Sequence, residues 1–382
     1  MAVIPDFRTS SARHYSPVHV VHLIARLNDG GPARVIAGLG AEMVRVGHRV
    51  TVLTGTCAGE PDIADQVTAS GCMVEYVPGL GRAVSPLDDA RAFMALVCAV
   101  HRLRPEVVHT HTAKAGILGR LACQVLGQRC LHTYHGHVLS GYFRPAVSTA
   151  ITLVERAVAG AHHLHSLTPG LVRDLALNHR IGRPSRWHCL PVPVPQVHRR
   201  PAQWQSVLRP GLPVVGFLGR LVAIKDGTLW LDALAALATQ LPVQGLMCGD
   251  GPERAALEAH AAHLGVPVLF TGFVPGSEAL APMEALLISS RNEGQPLVAV
   301  EAAMAAVPVV ATRVGGLVDC ERWGLVAGAE RTPAALAAAL LPLLTNPDLR
   351  RQRIARAGRV AARLTPAALA PAYLRLYAGV AR

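Results

Sequence analysis

The sequence contains little lysine, few aromatic residues and no closely paired cysteines. Only Lys114 and Lys225 among its 37 basic residues are lysines, and aromatic residues make up 4% of the chain. The eight cysteines form no Cys-x-x-Cys pair, and a chain of this length does not need disulfides for stability. The first 17 residues lack the apolar core of a signal peptide, and no stretch approaches the roughly 18 apolar residues of a spanning helix. We therefore expect a cytoplasmic protein with reduced thiols.

The size and charge of the chain narrow the class further. Its 382 residues are 51% hydrophobic and 16% charged, which is enough apolar material for two domain cores and excludes disorder. Lysine and arginine exceed aspartate and glutamate by 37 to 25, so the net charge is +12. Because most of this excess lies in residues 1–200, that half is expected to contact an anionic partner such as a nucleotide, a nucleic acid or an anionic lipid.

Short β-branched runs alternate with longer segments rich in alanine and leucine, a pattern typical of βαβ units around parallel sheets. Six prolines between Leu190 and Pro213 interrupt the alternation and predict a semi-rigid linker. The fold class predicted is α/β, with two doubly wound, Rossmann-like domains. The predicted strands are 18–24, 50–53, 73–77, 107–110, 130–134, 163–167, 214–218, 244–248, 268–271, 285–289 and 307–311. The predicted helices of the first half are 33–46, 88–102, 114–126 and 145–159.

These predictions divide the chain into four segments. Residues 1–195 form an N-terminal domain, 196–213 the linker and 214–364 a second domain. The remaining helix, 365–382, is expected to return to the first domain. Ligands of doubly wound sheets bind at the carboxyl ends of the strands, so we expect a site in a cleft between two facing domains.

One candidate site follows the predicted strand 214–218. Arg220 and Lys225 lie in the loop Gly219–Asp226, directly before a helix. A guanidinium and an ammonium beside free backbone amides suit the two phosphates of a diphosphate. The residues alone also allow a simpler interpretation, in which Lys225 and Asp226 only begin the helix.

A second candidate site follows the predicted strand 285–289. Pro296 suits a first helical turn, so the amides after it are available to a phosphate. Glu293 lies in the loop and Glu301 lies on the helix, and carboxylates near an anion site are suited to accept hydrogen bonds from sugar or ribose hydroxyls. The alternative is that Glu293 interacts with the helix dipole and that Glu301 is a buried, paired acid.

The motif Glu293-x7-Glu301, preceded by Gly219-Arg220-Leu221 and Lys225, resembles the retaining glycosyltransferases of family 4, which have the GT-B fold. The resemblance covers nearly the whole chain. Its other motifs are Asn28-Asp29-Gly30-Gly31-Pro32, residues 109–116, Thr133-Tyr134-His135-Gly136-His137, Gly249-Asp250-Gly251-Pro252-Glu253 and Val314-Gly315-Gly316.

The resemblance implies a donor site for a nucleotide diphosphate sugar, most readily a UDP-sugar. Arg220 and Lys225 would hold the diphosphate, Glu301 the ribose hydroxyls and Glu293 the hydroxyls of the donor sugar. His135 matches the family histidine that faces the reacting sugar. The remaining donor-binding residues implied are Gly30, Gly31, Gly219, Gly251, Gly294, Gln295, Pro296 and Leu297.

The acceptor is expected to be a hydroxyl group. Residues 109–116 resemble the subset of these enzymes that builds surface polysaccharides on lipid carriers, which implies a hexosyl- or N-acetylhexosaminyltransferase with a polyprenyl-diphosphate-linked acceptor. The residues expected on the acceptor side are His111, Lys114, His137 and Arg144. The basic first half also predicts peripheral contact with an anionic membrane at its inner face, and no nucleic acid partner is expected.

The chain contains no Asp-x-Asp, so the metal-binding carboxylates of the other large glycosyltransferase fold are missing and we expect no divalent metal requirement or other cofactor. Three alternatives remain. Sixteen of the 18 histidines precede residue 200, and His109-x-His111 after a strand allows a histidine-ligated metal hydrolase. A nucleotide-sugar epimerase of the same fold and an inactive protein that only binds nucleotide sugars are the others.

Overall fold

The computed structural model describes residues 16–57, 62–81, 83–136, 139 and 144–381. The chain divides into two compact units. The N-terminal unit comprises the described residues up to Pro195 together with those from Thr365 onward, and the C-terminal unit comprises Gln196–Leu364.

The described part of the N-terminal unit contains a parallel sheet with the strand order β3-β2-β1-β4-β5-β6-β7. The strands are β1 (His19–Arg26), β2 (Arg49–Gly55), β3 (Met73–Tyr76), β4 (Val107–His111), β5 (Cys130–Tyr134), β6 (His163–Ser166) and β7 (Trp187–Cys189). The helices between them are α1 (Gly31–Arg45), α2 (Ala64–Ala69), α3 (Pro86–Leu103), α4 (Ala113–Leu126), α5 (Pro145–Ala159) and α6 (Pro169–Arg173). Strands β4 and β5 are buried throughout, as expected for central strands covered by helices on both faces.

The C-terminal unit repeats this topology with the strand order β10-β9-β8-β11-β12-β13. The strands are β8 (Val214–Leu218), β9 (Gln244–Cys248), β10 (Val268–Gly272), β11 (Ala285–Ile288), β12 (Val309–Thr312) and β13 (Ala327–Ala329). The helices are α7 (Gly227–Ala238), α8 (Arg254–Leu264), α9 (Gly276–Ala279), α10 (Leu297–Met304), α11 (Leu317–Trp323), α12 (Pro333–Thr345) and α13 (Pro347–Ala361). Trp230 of α7 is fully buried in this core, and its indole N–H donates to the carbonyl of Gly216 over 3.2 Å.

The two sheets confirm the predicted α/β class with two doubly wound domains. Four segments have the predicted bounds: the strands Cys130–Tyr134, Val214–Leu218 and Gln244–Cys248 and the helix Pro145–Ala159. The sequence analysis did not predict β7 and β13. Each is a three-residue strand at a sheet edge, too short to show a period-2 pattern.

The proline-rich segment 196–213 packs on the C-terminal unit. Nε of Arg199 donates to the carbonyl of Ala305 over 2.6 Å, and its Nη2 donates to the carbonyl of Ala306. Gln244 at the start of β9 bonds both the amide and the carbonyl of Arg209, each over 2.8 Å. These hydrogen bonds fix the segment to the C-terminal unit.

The last helix, α14 (Pro366–Ala381), belongs to the N-terminal unit. The hydroxyl of Tyr373 donates to the carbonyl of Pro191 over 3.3 Å, and the hydroxyl of Tyr377 lies 2.7 Å from Nδ1 of His109 in β4. Both tyrosines are buried, so the helix contributes to the core of that unit. Among the described residues, no helix is long and apolar enough to cross a membrane.

Candidate functional site

The topological switch point of the C-terminal sheet lies between β8 and β11, the neighbouring strands from which the chain winds in opposite directions. The loop Gly219–Asp226 follows β8, and the loop Ser289–Pro296 follows β11. Both candidate motifs from the sequence therefore meet at the position where doubly wound sheets bind ligands.

Two glycine loops are joined by backbone hydrogen bonds at this edge. The amide of Gly219 donates to the carbonyl of Cys248 over 3.0 Å, and the amide of Leu221 donates to the carbonyl of Asp250 over 2.8 Å. A Cβ atom at Gly249 would lie 1.9 Å from the carbonyl oxygen of Gly219, and one at Gly251 would lie 2.3 Å from that of Leu221. These glycines are therefore required for the close approach of the loop after β9 to the loop that carries Arg220.

Lys225 and Glu293 form an ion pair across the two motifs. Nζ of Lys225 lies 2.5 Å from Oε1 of Glu293, and the hydroxyl of Ser290 donates to the same oxygen over 2.7 Å. The side chains of Lys225 and Glu293 are 27% and 11% exposed, so the pair is partly shielded from water. A cation and a carboxylate are thus held together at one point, where they can bind an anion and a hydroxyl group.

The surrounding loops hold this pair in place. The hydroxyl of Ser289 lies 2.9 Å from the carbonyls of both Lys225 and Asp226. The amide of Gly316 donates to the carbonyl of Glu293 over 2.8 Å, and a Cβ at Gly315 would lie 2.3 Å from that same oxygen. The loop after β12 therefore packs against the backbone of Glu293. Only glycine permits this contact at Gly315, where φ is +48°.

Asp226, not Lys225, begins helix α7. Its carboxylate accepts from the amide of Leu229 and is paired with the guanidinium groups of Arg291 and Arg331. Asp226 is 5% exposed. The simpler interpretation of the first motif thus applies to Asp226, whereas Lys225 ends a separate turn of 3-10 helix and points its ammonium at Glu293.

Other predicted donor-site residues of the C-terminal unit lie on the same two loops or on helix α10. Arg220 is exposed, and no carboxylate of the described residues forms an ion pair with it. Helix α10 begins at Leu297 with Pro296 as its N-cap, and no side chain caps its first amides. Gly294, Gln295 and Pro296 are buried, and Glu301, one turn into the helix, is 7% exposed.

The N-terminal unit has its own switch point, between β1 and β4. Gly30 is the N-cap of α1, Gly31 is the first residue of that helix, and no side chain caps it. The amide of Gly30 donates to the carbonyl of Asn28 over 2.6 Å, which closes the loop tightly. His135 follows β5 and is half-buried.

A chain of three histidines extends from His135 into the core of the N-terminal unit. Nε2 of His135 lies 2.8 Å from Nδ1 of His111, and Nε2 of His111 lies 3.0 Å from Nδ1 of His22. His22 and His111 are buried, on the neighbouring strands β1 and β4. Burial lowers the pKa of His135 to about 4 and that of His22 to about 3, so these imidazoles are neutral near pH 7.

A second chain runs beside the first. It links the hydroxyl of Tyr377 to Nδ1 of His109 (2.7 Å), Nε2 of His109 to Oγ1 of Thr133 (2.6 Å) and Oγ1 of Thr133 to Nδ1 of His165 (2.7 Å). Nε2 of His165 lies 3.0 Å from the carbonyl of Leu190. The histidine cluster was found in the sequence, but the sequence did not show that its members bond to one another.

The histidines His22, His109 and His111 each place one nitrogen within 4.8 Å of the others, which is a possible metal-ion geometry. Both ring nitrogens of His109 and of His111 already take part in the hydrogen bonds above. An ion at this position would have to replace several of them, and the described residues place no carboxylate in the group. These rings therefore fit a hydrogen-bonded core better than the open site of a metal hydrolase.

The remaining predicted acceptor-side residues have different positions. Lys114, at the start of α4, is paired with Asp89 of α3 and donates to the carbonyl of Ala83, so its ammonium is already bound within the unit. Arg144 is exposed at the N-cap of α5. His137 lies outside the described residues.

Comparison with known protein families identifies both halves of the chain. Residues 30–193 match the model described as glycosyl transferase 4-like domain, and residues 212–346 match the one described as glycosyl transferases group 1. The second match contains β8 to β13 with both switch-point loops of that sheet, and the first begins after β1 and contains β2 to β7.

Individual relatives agree with this assignment. A 2-deoxystreptamine glucosyltransferase from Streptomyces kanamyceticus is 39% identical over 165 residues, which cover 41% of this chain and 39% of that protein. A D-inositol 3-phosphate glycosyltransferase from Corynebacterium urealyticum is 29% identical over 86% of this chain and 85% of its own length.

A solved structure has the same fold. Anabaena Alr3699/HepE in complex with UDP and glucose superposes with a TM-score of 0.80 at 17% identity, over 95% of this chain and 99% of that one. The two Rossmann-like sheets, the switch-point motifs and these matches lead to one conclusion. The chain belongs to the family 4 glycosyltransferases and is an enzyme of the GT-B fold that uses nucleotide sugars.

Proposed function

We propose that this enzyme transfers a hexosyl or N-acetylhexosaminyl group from a UDP-sugar to a hydroxyl acceptor with retention of configuration at the anomeric carbon. The observation that carries the proposal is the ion pair of Lys225 and Glu293 at the C-terminal switch point. Neither residue is needed there for helix capping, since Asp226 caps α7. Both side chains are partly exposed, so a substrate can reach them and exchange their mutual contact for its own phosphate and hydroxyl groups.

The reaction breaks the bond between the anomeric carbon and the β-phosphate oxygen, and the electron pair leaves with the nucleoside diphosphate. The acceptor hydroxyl oxygen forms the new bond on the same face of the sugar, and its proton passes to the departing phosphate oxygen. Arg220, Lys225 and the first amides of α10 stabilise the negative charge that develops on the diphosphate. The protein thereby stabilises the negative charge of the diphosphate with its own cations, and we propose that no divalent metal is required.

Glu293 and Glu301 bind the hydroxyl groups of the donor. Glu301, on α10 and 7% exposed, takes the role toward the ribose that the family resemblance implies. Glu293 accepts hydrogen bonds from the sugar hydroxyls while Lys225 moves its contact toward phosphate. His135 takes the position facing the reacting sugar that the family resemblance implies.

The choice of a UDP-sugar is supported by the structural neighbour that holds UDP and glucose. Calorimetric titration with UDP-, GDP- and ADP-sugars tests it, with Glu301→Ala as the variant and Arg359→Ala, an exposed cation on α13 of the same unit, as the matched control. We expect UDP-sugars to bind the wild type and the control equally and the Glu301 variant weakly. Binding of GDP- or ADP-sugars in preference would contradict the nucleotide assignment, and equal binding by the Glu301 variant would contradict its role.

For the acceptor, we propose a lipid-linked glycan presented at the cytoplasmic face of an anionic membrane. Helix α5 exposes Val147, Leu153 and Val154, and Arg144 lies exposed at its start. Its only acidic residue, Glu155, is buried. An exposed apolar face with a cation and no exposed acid suits contact with anionic lipid.

A cyclitol acceptor is the second candidate, because the relatives named above act on 2-deoxystreptamine and inositol 3-phosphate by their names. Incubation of the enzyme and labelled UDP-sugar with either a polyprenyl-diphosphate-linked sugar or a free cyclitol separates the two. Label recovered in the lipid fraction supports the lipid-linked acceptor. Label recovered only on the cyclitol would replace it. Turnover of the donor without any acceptor would instead indicate an epimerase.

A further inference from the structure

The two buried histidines behind His135 have no role in the transfer described so far. His22 and His111 lie on β1 and β4, where strand positions covered on both sides normally carry apolar residues. Their rings are aligned in series with His135, at 3.0 Å and 2.8 Å between the bonded nitrogens. A buried polar chain of this kind costs stability unless its hydrogen bonds are made, so its retention requires an explanation.

When all three rings are neutral, the hydrogens of the histidine series His135–His111–His22 can be arranged in two ways, which differ in the direction of donation. In one direction, His135 donates from Nε2 to His111 and His111 donates to His22, which leaves an N–H on Nε2 of His22. In the other direction, His22 donates to His111 and His111 donates to His135, which leaves only a lone pair on Nε2 of His22. The surroundings of Nε2 of His22 therefore decide which direction is more stable.

Nε2 of His22 is buried and has no hydrogen-bond partner among the described residues. Among backbone groups, a buried N–H without an acceptor is rarer than a buried carbonyl without a donor, and we apply the same order to the imidazole nitrogen. The second direction is therefore favoured, with the hydrogen on Nδ1 of His111 pointing to Nε2 of His135. A neutral imidazole carries one hydrogen, so that of His135 must then be on Nδ1.

We propose that His111 and His22 are positioning residues that hold His135 as the Nδ1–H tautomer, which makes it a hydrogen-bond donor to substrate and not a base. This inference rests on the proposed transfer reaction, which it deepens by assigning the proton of its histidine. The lone pair of Nε2 on His135 is occupied by His111, so it is not available to the acceptor hydroxyl. The departing phosphate is then left as the group that receives the acceptor proton.

The tautomer can be measured directly by long-range 1H–15N correlation spectra of the full chain, with the His135 signals assigned by their loss in His135→Gln. We expect Nδ1 of His135 to be protonated in the wild type. His111→Asn keeps an N–H near the position of Nδ1, whereas His111→Leu removes it. The spectrum of His135 should be retained in the Asn variant and change to a tautomer mixture in the Leu variant.

Kinetics provide the second measurement. His111→Leu should lower kcat by about 10- to 100-fold, the loss seen when the hydrogen-bond partner of a metal-bound histidine is removed, and His111→Asn should restore most of it. Affinity for UDP should be unchanged in both variants, because the donor diphosphate residues lie in the C-terminal unit. A wild-type His135 protonated on Nε2, a spectrum unaffected by His111→Leu, or unchanged kcat in that variant would each overturn the inference.

The two proposals fail in distinguishable ways. If the wild type turns over no nucleotide sugar, the proposed function fails, while the wild-type spectrum still decides the tautomer. If turnover is normal and Nε2 of His135 is protonated, the transfer reaction stands and only the role of His111 and His22 is lost. The wild-type spectrum also remains decisive if His111→Leu does not fold.

Discussion

Lys225 and Glu293 lie 68 positions apart in the sequence, yet Nζ of the first is 2.5 Å from Oε1 of the second. The pair joins the loops after β8 and β11 and is only partly exposed to solvent. When a substrate binds both residues, Lys225 contacts a phosphate and Glu293 contacts a hydroxyl group, so the ion pair between them is broken. Removal of the lysine charge and removal of the glutamate charge should therefore change the affinity for UDP in opposite directions.

We expect Lys225→Ala to weaken UDP binding by about 10- to 150-fold, since contacts to charged groups contribute roughly 1.5–3 kcal/mol. Glu293→Gln should instead strengthen binding of UDP, because it releases Lys225 and removes a negative charge near the diphosphate, while lowering kcat for transfer. Calorimetric titration with UDP and initial-rate measurements check both changes. Weaker UDP binding by Glu293→Gln would show that the carboxylate serves mainly to hold Lys225 in place.

A buried ion pair lies in the core of the N-terminal unit. Nη2 of Arg120 lies 2.7 Å from Oε2 of Glu155, the hydroxyl of Tyr134 donates to the same oxygen over 2.6 Å, and both charges are buried. Glu155→Leu should lower the free energy of unfolding by about 3–5 kcal/mol, because it leaves the buried guanidinium without a carboxylate. The double variant Arg120→Met/Glu155→Leu should lose less. Urea unfolding of both variants tests this, and equal losses would argue against an unpaired charge as the cause.

Acid should destabilise the fold through its buried histidines. Burial lowers the pKa of His22 and His165 to about 3 and that of His135 to about 4, against an ordinary value of 6.5. The unfolded chain therefore binds more protons below pH 6.5, so stability is full above that pH and falls as the pH decreases toward about 4. Each histidine contributes a slope of about 1.4 kcal/mol per pH unit in this window.

Urea midpoints between about pH 7.5 and pH 5 measure this slope directly. His165→Gln should make it shallower by the contribution of one group, because glutamine does not titrate. Constant stability across the range would show that the histidines are not buried in their neutral form.

The proposed absence of a metal requirement can be tested with a chelator. We expect transfer activity to persist in excess chelator, because Arg220, Lys225 and the first amides of α10 carry the charge stabilisation. Loss of activity that manganese restores would refute this proposal. Lys225→Ala should not be rescued by added manganese if the lysine itself performs that role.

Membrane contact through α5 predicts a lipid-dependent flotation. The wild type should float with anionic vesicles and not with neutral ones, and Arg144→Ala should weaken the association about fivefold, since one basic residue contributes about 1 kcal/mol at such a surface. Leu153→Ser with Val154→Ser should weaken it further. Val125→Ser, a change at a similarly exposed position on α4, serves as the control. Equal flotation with neutral vesicles would contradict an electrostatic contribution.

The motifs around Glu293 could be predicted because their chemistry is local. A strand, a loop with Lys225 or Glu293 and a following helix each leave a pattern within about a dozen residues. Proline at the start of α10 and the glycines of the loops each favour a particular backbone geometry, so the sequence indicates these features directly. The family resemblance rests on these same segments.

Other features depended on contacts between distant strands. His109 and His111 suggested a metal site because the sequence places them two apart on one face of a strand. Only the register of β1 against β4 and the return of Tyr377 on α14 showed that His111 bonds to His22 and His135. His109 bonds instead to Tyr377 and Thr133. Lys114 was likewise expected to contact the acceptor, and its ion pair with Asp89 on another helix was not visible in the motif.

The sequence by itself determined the α/β class, the two doubly wound halves and the residue types at the two loops of the proposed donor site. The tertiary structure decided which charges are paired and which histidine nitrogens are occupied. The physical reason is the range of the interactions. Hydrophobic periodicity and turn chemistry act between near neighbours in the chain, whereas ion pairs and hydrogen bonds depend on distances of about 3 Å between atoms that only folding brings together.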